Sequence, residues 1–246
     1  MPSTETEEEV EISKAAPTRR HWSIVREVAG ILVSAILLSL IVKTFLLQAF
    51  FIPSGSMEPT LHGCEGCLGD RVLVNKLTSQ MGGVQRGDVV VFRDSNGWLR
   101  HGSQKAQGQS RVVDALTFIG LVPSSAENDL VKRVIGVGGD IVEGRDGKVY
   151  VNATKLDEPY VFPGDSPSDA DFKVTVPANN LWVMGDHRSE SGDSRFHQQD
   201  PGNGFVPLAD VVGRAFVIIW PLNRAASIDR PPSLDKARTT RPPFGL

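Results

Sequence analysis

At 246 residues the chain has room for one domain plus a small insert, and its 40% apolar content is ordinary for a globular core. A formal net charge of −3 and a pI near 6.0, with no basic stripe interleaved with aromatics, exclude a nucleic-acid binder. The 24 glycines, 16 prolines and short apolar runs between turn residues favour β-structure, with helix signals confined to the N-terminal region.

Residues 1–23 carry the acidic run Glu7, Glu8, Glu9 and then Arg19 and Arg20, a composition that predicts a disordered tail. From Val28 to Val42, "VAGILVSAILLSLIV" holds no charge, and its apolar character continues past Lys43 to Leu47. Such a stretch makes about 30 Å of helix, enough to cross a hydrocarbon core, so a transmembrane helix is expected over 24–47. A soluble helix would carry a polar face, and a cleaved leader would end in a small-x-small site where "LLQAFFIP" has bulky residues. Lys14, Arg19, Arg20 and Arg26 precede the span and Lys43 alone follows it closely. The positive-inside rule then puts the N-terminus in the cytoplasm and the remainder outside.

After the span comes "PSGSMEPTL", in which Pro53 and Pro59 stiffen both flanks and Gly55 permits backbone geometry other residues resist. It reads equally as a turn leaving the membrane or as a device exposing a serine nucleophile beside turned N–H groups. In "HGCEGCLG", Cys64 and Cys67 have C-x-x-C spacing. Zinc would need two more ligands and no other cysteine exists, while a thioredoxin-like site would need a βαβ context. A tight local disulfide and two free thiols both fit an extracytoplasmic domain. Residues 94–129, rich in Gly, Ser and Gln with little alternation, predict a flexible insert.

"DLVKRVIGVGGDIV" predicts a strand in which Lys132 shares a face with Leu130 and Val134, while Arg133 points opposite with Val131 and Ile135. A lysine enclosed by apolar side chains loses hydration, which lowers its pKa; a lysine that snorkels to solvent keeps its ordinary value. To serve as a base near neutrality it must fall from about 10.4 to roughly 7–8, at a cost of about 4 kcal/mol. "GVGGD" lacks the Lys-Ser/Thr of a phosphate loop and predicts a turn. "KVYVNATKLDEPY" predicts a strand-turn-strand inside a small β cap insert over about 141–180, and Asn152-Ala-Thr154 fits a glycosylation sequon. Among His21, His62, His101, His187 and His197, a Ser-His-Asp triad built on His187 has no support from spacing. Residues 230–246, proline-rich and charged without periodicity, predict a loose tail.

Four stretches in fixed order behind the apolar span, "PSGSMEPTL", "RGDVVVF", "VKRVIGVGGD" and "GDHRSESGDSR", resemble bacterial type I signal peptidase. The resemblance implies that Ser56 is the nucleophile and Lys132 the general base. It implies that the Ser54 hydroxyl joins the Ser56 amide in the oxyanion hole, that Ser191 hydrogen-bonds the lysine, and that Asp193 and Arg195 form a structural ion pair. Shallow pockets for small residues before the cut would be formed around Phe50, Ile52, Pro53, Leu61, Leu130 and Val131. His187 and Glu190 stand where Asn is familiar in many relatives.

The expected fold is therefore all-β: an antiparallel-sheet catalytic domain over 48–229 with a small β cap insert, anchored by one N-terminal transmembrane helix. The implied substrates are preproteins with signal peptides, cleaved after Ala-x-Ala in the membrane near the protein-export channel, with neither metal nor cofactor. Two alternatives are a self-cleaving repressor, which would need a DNA-binding module, and a membrane-anchored, non-catalytic binding domain of the same fold. The joint presence of Ser54, Ser56, Lys132 and Ser191 argues against the second.

Overall fold

A computed structural model describes residues 19–41, 46–64, 66–80, 83–99 and 129–236. Expectations for residues 1–18, for 42–45 of the apolar span, for 100–128 of the insert and for 237–246 lie outside the described residues. The chain divides into two compact units, Met1–Ile41 and Val42–Leu246.

In the first unit, helix α1 (Arg19–Ile41) includes five residues assigned above to the tail and stops short of Leu47. The side chains of residues 26–39 are exposed, Ile31, Leu32, Val33, Ile36, Leu37 and Leu38 among them. Leu47, expected to end the span, instead opens strand β1 (Leu47–Phe51). Among the described residues no helix is long and apolar enough to cross a membrane.

The second unit is built on antiparallel pairing, as the short apolar runs predict. Beside β1 lie β2 (Arg71–Asn75), β3 (Val89–Arg93), β4 (Asp129–Val137), β9 (Asn180–Met184), β10 (Val206–Pro207), β11 (Val211–Trp220) and β12 (Ala226–Ser227). They form one sheet in the order β1-β2-β11-β3-β4-β9-β10, with β12 added to β11. The sheet is covered on both faces. Along β3, Val89 and Val91 enter one cluster with Phe50, Ile52, Met57 and Leu61, while Val90 and Phe92 enter another with Val134, Leu181 and Val183. Such burial on both sides explains why β3 reads "VVVF" without alternating polar residues. Neighbouring β4 keeps the predicted alternation: Leu130 packs with Val134, and Val131 packs with the opposite cluster.

The cap insert is a second sheet, β7-β6-β5-β8, from β5 (Ile141–Arg145), β6 (Lys148–Val151), β7 (Thr154–Lys155) and β8 (Phe172–Thr175). It ends before residue 180, because Asn180 already belongs to β9 of the large sheet. Positive φ at Asn152 and Ala153 provides the tight turn between β6 and β7. Val142, Val149, Val151 and Phe172 of the cap pack with Ile135, Trp182 and Met184 of the large sheet. The close approach occurs at Gly136, where a Cβ would stand 2.5 Å from Val142 Cγ2. The sequon residue Asn152 is engaged internally, donating to Asp140 Oδ1 (3.0 Å) and accepting the Ile141 N–H (3.0 Å).

Two composition-based expectations are corrected. Within the predicted flexible insert, Trp98 is buried, meets Phe92 edge-on and stacks on His197 at 4.4 Å. The predicted C-terminal tail is docked in its first part: Arg230 pairs with Asp88, and Leu234 in the short helix α2 (Pro232–Lys236) is fully buried in the cap cluster. Arg230 also donates to Gln85 Oε1 and Ser233 to the Asp157 carbonyl, so the anchoring rests on scattered single contacts that composition does not register.

Candidate active site

The chain leaves β1 at Phe51, and the Ile52 N–H donates to the Asp70 carbonyl at 2.9 Å. Met57 and Leu61 drive into the core, and Gly55–Met57 forms a single 3-10 turn between Ser54 and Glu58. This segment is not a free linker, because its apolar residues pin Ser56 in place with 8% exposure. Ser54 Oγ lies 3.2 Å from Ser56 Oγ, and the Ser56 carbonyl accepts the His187 N–H at 3.2 Å.

Lys132, seventy-six residues away, reaches the same point: its Nζ donates to Ser56 Oγ at 2.8 Å, and the residue is only 3% exposed. Burial brings its pKa from an ordinary 10.5 down to about 8; Asp193 and Asp186 favour the ammonium and Arg195 opposes it. Its surroundings are thus polar as well as dry, where alternation alone predicted apolar neighbours. Once the amine is neutral, the same contact lets the Ser56 O–H donate to the nitrogen lone pair, the geometry required of a nucleophile and its base.

The last motif lies alongside. Arg195 grips Asp193 with two hydrogen bonds, Nε to Oδ1 and Nη2 to Oδ2, both 2.9 Å, which is the expected ion pair. Asp193 Oδ2 also accepts the Gly185 N–H at 3.0 Å, and Arg195 Nη2 donates to the Arg188 carbonyl at 2.8 Å, so the loop is tied at both ends. Ser191 departs from expectation. Its hydroxyl is buried without a hydrogen-bond partner, so no bond from Ser191 orients Lys132. The hydroxyl instead packs over Gly185, whose hypothetical Cβ would lie 2.2 Å from Ser191 Oγ and 2.5 Å from the Ser56 carbonyl oxygen. Gly185→Ala should therefore displace both segments and lower turnover by about 10²-fold, since a shift of about 1 Å at the reacting groups costs that much. Steady-state kinetics on folded variant protein checks this.

A second ion pair was missed in the sequence. Arg133, 2% exposed, donates from Nε and Nη2 to Asp186 at 2.8 and 2.6 Å, and from Nη1 to the Gly87 carbonyl at 2.9 Å. Thr60, four residues beyond Ser56, donates to the same carboxylate at 2.5 Å, and the guanidinium lies over the Tyr160 ring. Alternation placed Arg133 opposite Lys132, and a buried arginine demands a carboxylate, but nothing in the spacing identified Asp186 as the partner.

An open cleft of about 910 Å³ runs beside Ser56, lined by Phe51, Pro53, Ser54, Glu58, Cys64, Cys67, His187 and Glu190 among others. Of the six predicted pocket residues only Pro53 lines it. Phe50, Ile52 and Leu61 are 2% exposed or less and belong to the core, and Leu130 and Val131 pack against the two sheet clusters. The alternation of β1 decides this: with Phe50 committed to the core, Phe51 faces the cleft. His187 stacks on Phe162 at 4.0 Å and its Nδ1 faces the Gly55 carbonyl at 3.3 Å, a supporting position for the turn rather than a triad base.

A serine hydroxyl beside a buried lysine amine, on an antiparallel β domain with an adjoining cleft, is an arrangement in which the amine can take the hydroxyl's proton, as a serine hydrolase requires. The chain belongs to the family described as "Signal peptidase, peptidase S26", which matches residues 25–220. It is similar to "Probable signal peptidase I" of Mycobacterium leprae, with 41% identity over 248 residues, 90% of this chain and 84% of that protein. "Signal peptidase I" of Mycobacterium tuberculosis is 43% identical over 235 residues, 86% of this chain and 79% of that protein. A solved signal peptidase I from Enterococcus faecalis is 26% identical, covering 53% of this chain and 95% of that one, with a TM-score of 0.34.

Proposed function

We propose that this protein is a membrane-bound serine endopeptidase that removes signal peptides from exported preproteins, cutting after small residues of the Ala-x-Ala type. The observation that carries the reading is the 2.8 Å contact between Lys132 Nζ and Ser56 Oγ, made by two buried side chains beside an open cleft. Neutral Lys132 takes the Ser56 proton as Oγ attacks the scissile carbonyl. The Ser56 amide and the Ser54 hydroxyl stabilise the tetrahedral oxyanion. Lys132 then hands its proton to the leaving amine, and afterwards activates the water that hydrolyses the acyl-enzyme. Incubation with a preprotein ending its leader in Ala-x-Ala should give one new N-terminus directly after the second alanine. An uncut preprotein, or cutting unaffected by a bulky residue at that position, would overturn the reading.

The uncharged segment Val28–Val42, with its apolar side chains exposed where described, supports a membrane anchor. The basic residues before it support a cytoplasmic N-terminus, with residues 48–229 outside near the export channel. Protease added to spheroplasts should then destroy the catalytic domain and spare an N-terminal tag; protection of the domain would refute this topology.

A further inference from the structure

The loop from His62 to Asp70 holds side chains that proteolysis leaves unused. Cys64 and Cys67 are joined by a disulfide with Cα atoms 5.4 Å apart. His62 stands beside them, its Nε2 3.8 Å from Cys67 Sγ, and its Nδ1 lies 2.7 Å from Glu58 Oε1. The carboxylate assigns the tautomer: Nδ1–H donates to Glu58, so the Nε2 lone pair faces the sulfurs. Metal-bound histidines are oriented by a carboxylate in this way.

We propose that reduction of the Cys64–Cys67 disulfide creates a site for a thiophilic divalent cation such as Zn²⁺, held by both thiolates and His62 Nε2, with Glu58 orienting the imidazole. A dithiol reductant supplies two electrons and two protons; its sulfurs become a disulfide and the loop's become two thiols. Metal binding then releases both thiol protons. The sequence alone offered two ligands; the fold adds the third, and all three ligand atoms already lie within 4.8 Å of one another. Tetrahedral zinc, with Zn–S about 2.3 Å and Zn–N about 2.0–2.1 Å, requires about 3.6 Å between sulfur and nitrogen and about 3.8 Å between sulfurs. The Cys67–His62 separation of 3.8 Å nearly meets that requirement, so Cys64, which is exposed, makes most of the movement.

The base of the loop holds His62 still during this change. Its N–H donates to Asp70 Oδ2 and its carbonyl accepts the Asp70 N–H, both at 2.8 Å. The site has three protein ligands and an open fourth position, and both cysteines line the same cleft as Ser56. Gly63 presses the loop against the nucleophile segment: a Cβ there would stand 2.6 Å from the Ser54 carbonyl oxygen. The loop that carries the site is thus in direct contact with the Ser54 backbone.

The test uses the full chain in detergent, oxidised or reduced with a phosphine, titrated with Co²⁺ as a spectroscopic stand-in. One cobalt per reduced chain is expected, with thiolate-to-cobalt charge-transfer and tetrahedral d–d bands that Zn²⁺ abolishes, and no such bands in the oxidised chain. His62→Ala should lose the tetrahedral bands, and Glu58→Gln should weaken binding about 10–100-fold. A reduced wild-type chain without thiolate–cobalt bands overturns the site outright, whatever the variants do. Bands of unchanged affinity in His62→Ala overturn the assignment of the third ligand. Neither readout depends on peptidase activity.

Discussion

Ser56→Ala and Lys132→Met should each lower preprotein cleavage by roughly 10⁴-fold or more, because nucleophile and base act as one unit and losing either disables both. Burial has brought Lys132 from an ordinary 10.5 to about 8, and in the proposed mechanism the deprotonated amine is the active form. Turnover per unit substrate in wild type should therefore rise with pH through about 8 and level off above it, and the residual rate of Lys132→Met should lack that limb. A measured limb unchanged in Lys132→Met would assign it to another group and sink the dyad.

The same depressed pKa makes a stability statement of definite sign. Between pH 8 and 10.5 the unfolded chain holds a proton on Lys132 that the folded chain has released, so wild-type stability rises with pH across that window. Below pH 8 the buried ammonium costs about 3 kcal/mol relative to a neutral side chain, and above 10.5 the cost disappears. Lys132→Met removes this dependence. The variant should gain about 3 kcal/mol relative to wild type on going from pH 10.5 down to pH 8 or below, checked by denaturant unfolding at both ends. A stability gap that does not change with pH would mean that the lysine is not desolvated as described.

Arg133→Ala should destabilise the domain by about 3–5 kcal/mol, as expected when one partner of a buried ion pair is removed and Asp186 is left uncompensated. Asp186 is fully buried and Arg133 nearly so, so water cannot take the missing partner's place. The effect should extend to catalysis. Asp186 already favours the ammonium form of Lys132, and without Arg133 to neutralise it that influence grows. The alkaline limb should then move to higher pH, with lower activity at neutrality. Replacing both partners by apolar residues of similar volume should cost less than Arg133→Ala alone. If the single variant unfolds at the wild-type denaturant concentration, the pair is not the structural bolt this geometry implies.

Much of the site was legible because its chemistry is carried by short, stiff local sequences. In "PSGSMEPT" the prolines stiffen the backbone and Gly55 frees it, which marks a turn; Ser56 was singled out within it by the resemblance that four ordered motifs carry. "LVKRVIG" could be placed on a strand because period 2 separates Leu130 and Val134 from Val131, as the packing clusters bear out. Where the reading failed, the deciding information was long-range. Phe50, Ile52 and Leu61 became core rather than pocket because β1 pairs with β2 in a register that turns Phe51 outward. Leu234 looked like tail because its burial depends on a cap surface assembled from residues near 149–182. Ser191 keeps its place in the last motif, yet its hydroxyl is spent on close packing against Gly185 rather than on a bond to the lysine.

Sequence alone established that this is a β-rich chain behind an apolar N-terminal segment, with a serine and a lysine in the contexts their chemistry requires. The β-rich pattern and the apolar segment rest on local backbone preference and period, which each segment carries with it; the serine and the lysine were singled out by the resemblance that four ordered motifs carry. The folded chain decided which groups meet: Lys132 with Ser56, Arg133 with Asp186, His62 with Cys67. It also decided what those meetings cost. Desolvation, unlike propensity, belongs to no single segment; it arises only when distant strands and loops close over a charge and exclude water from it.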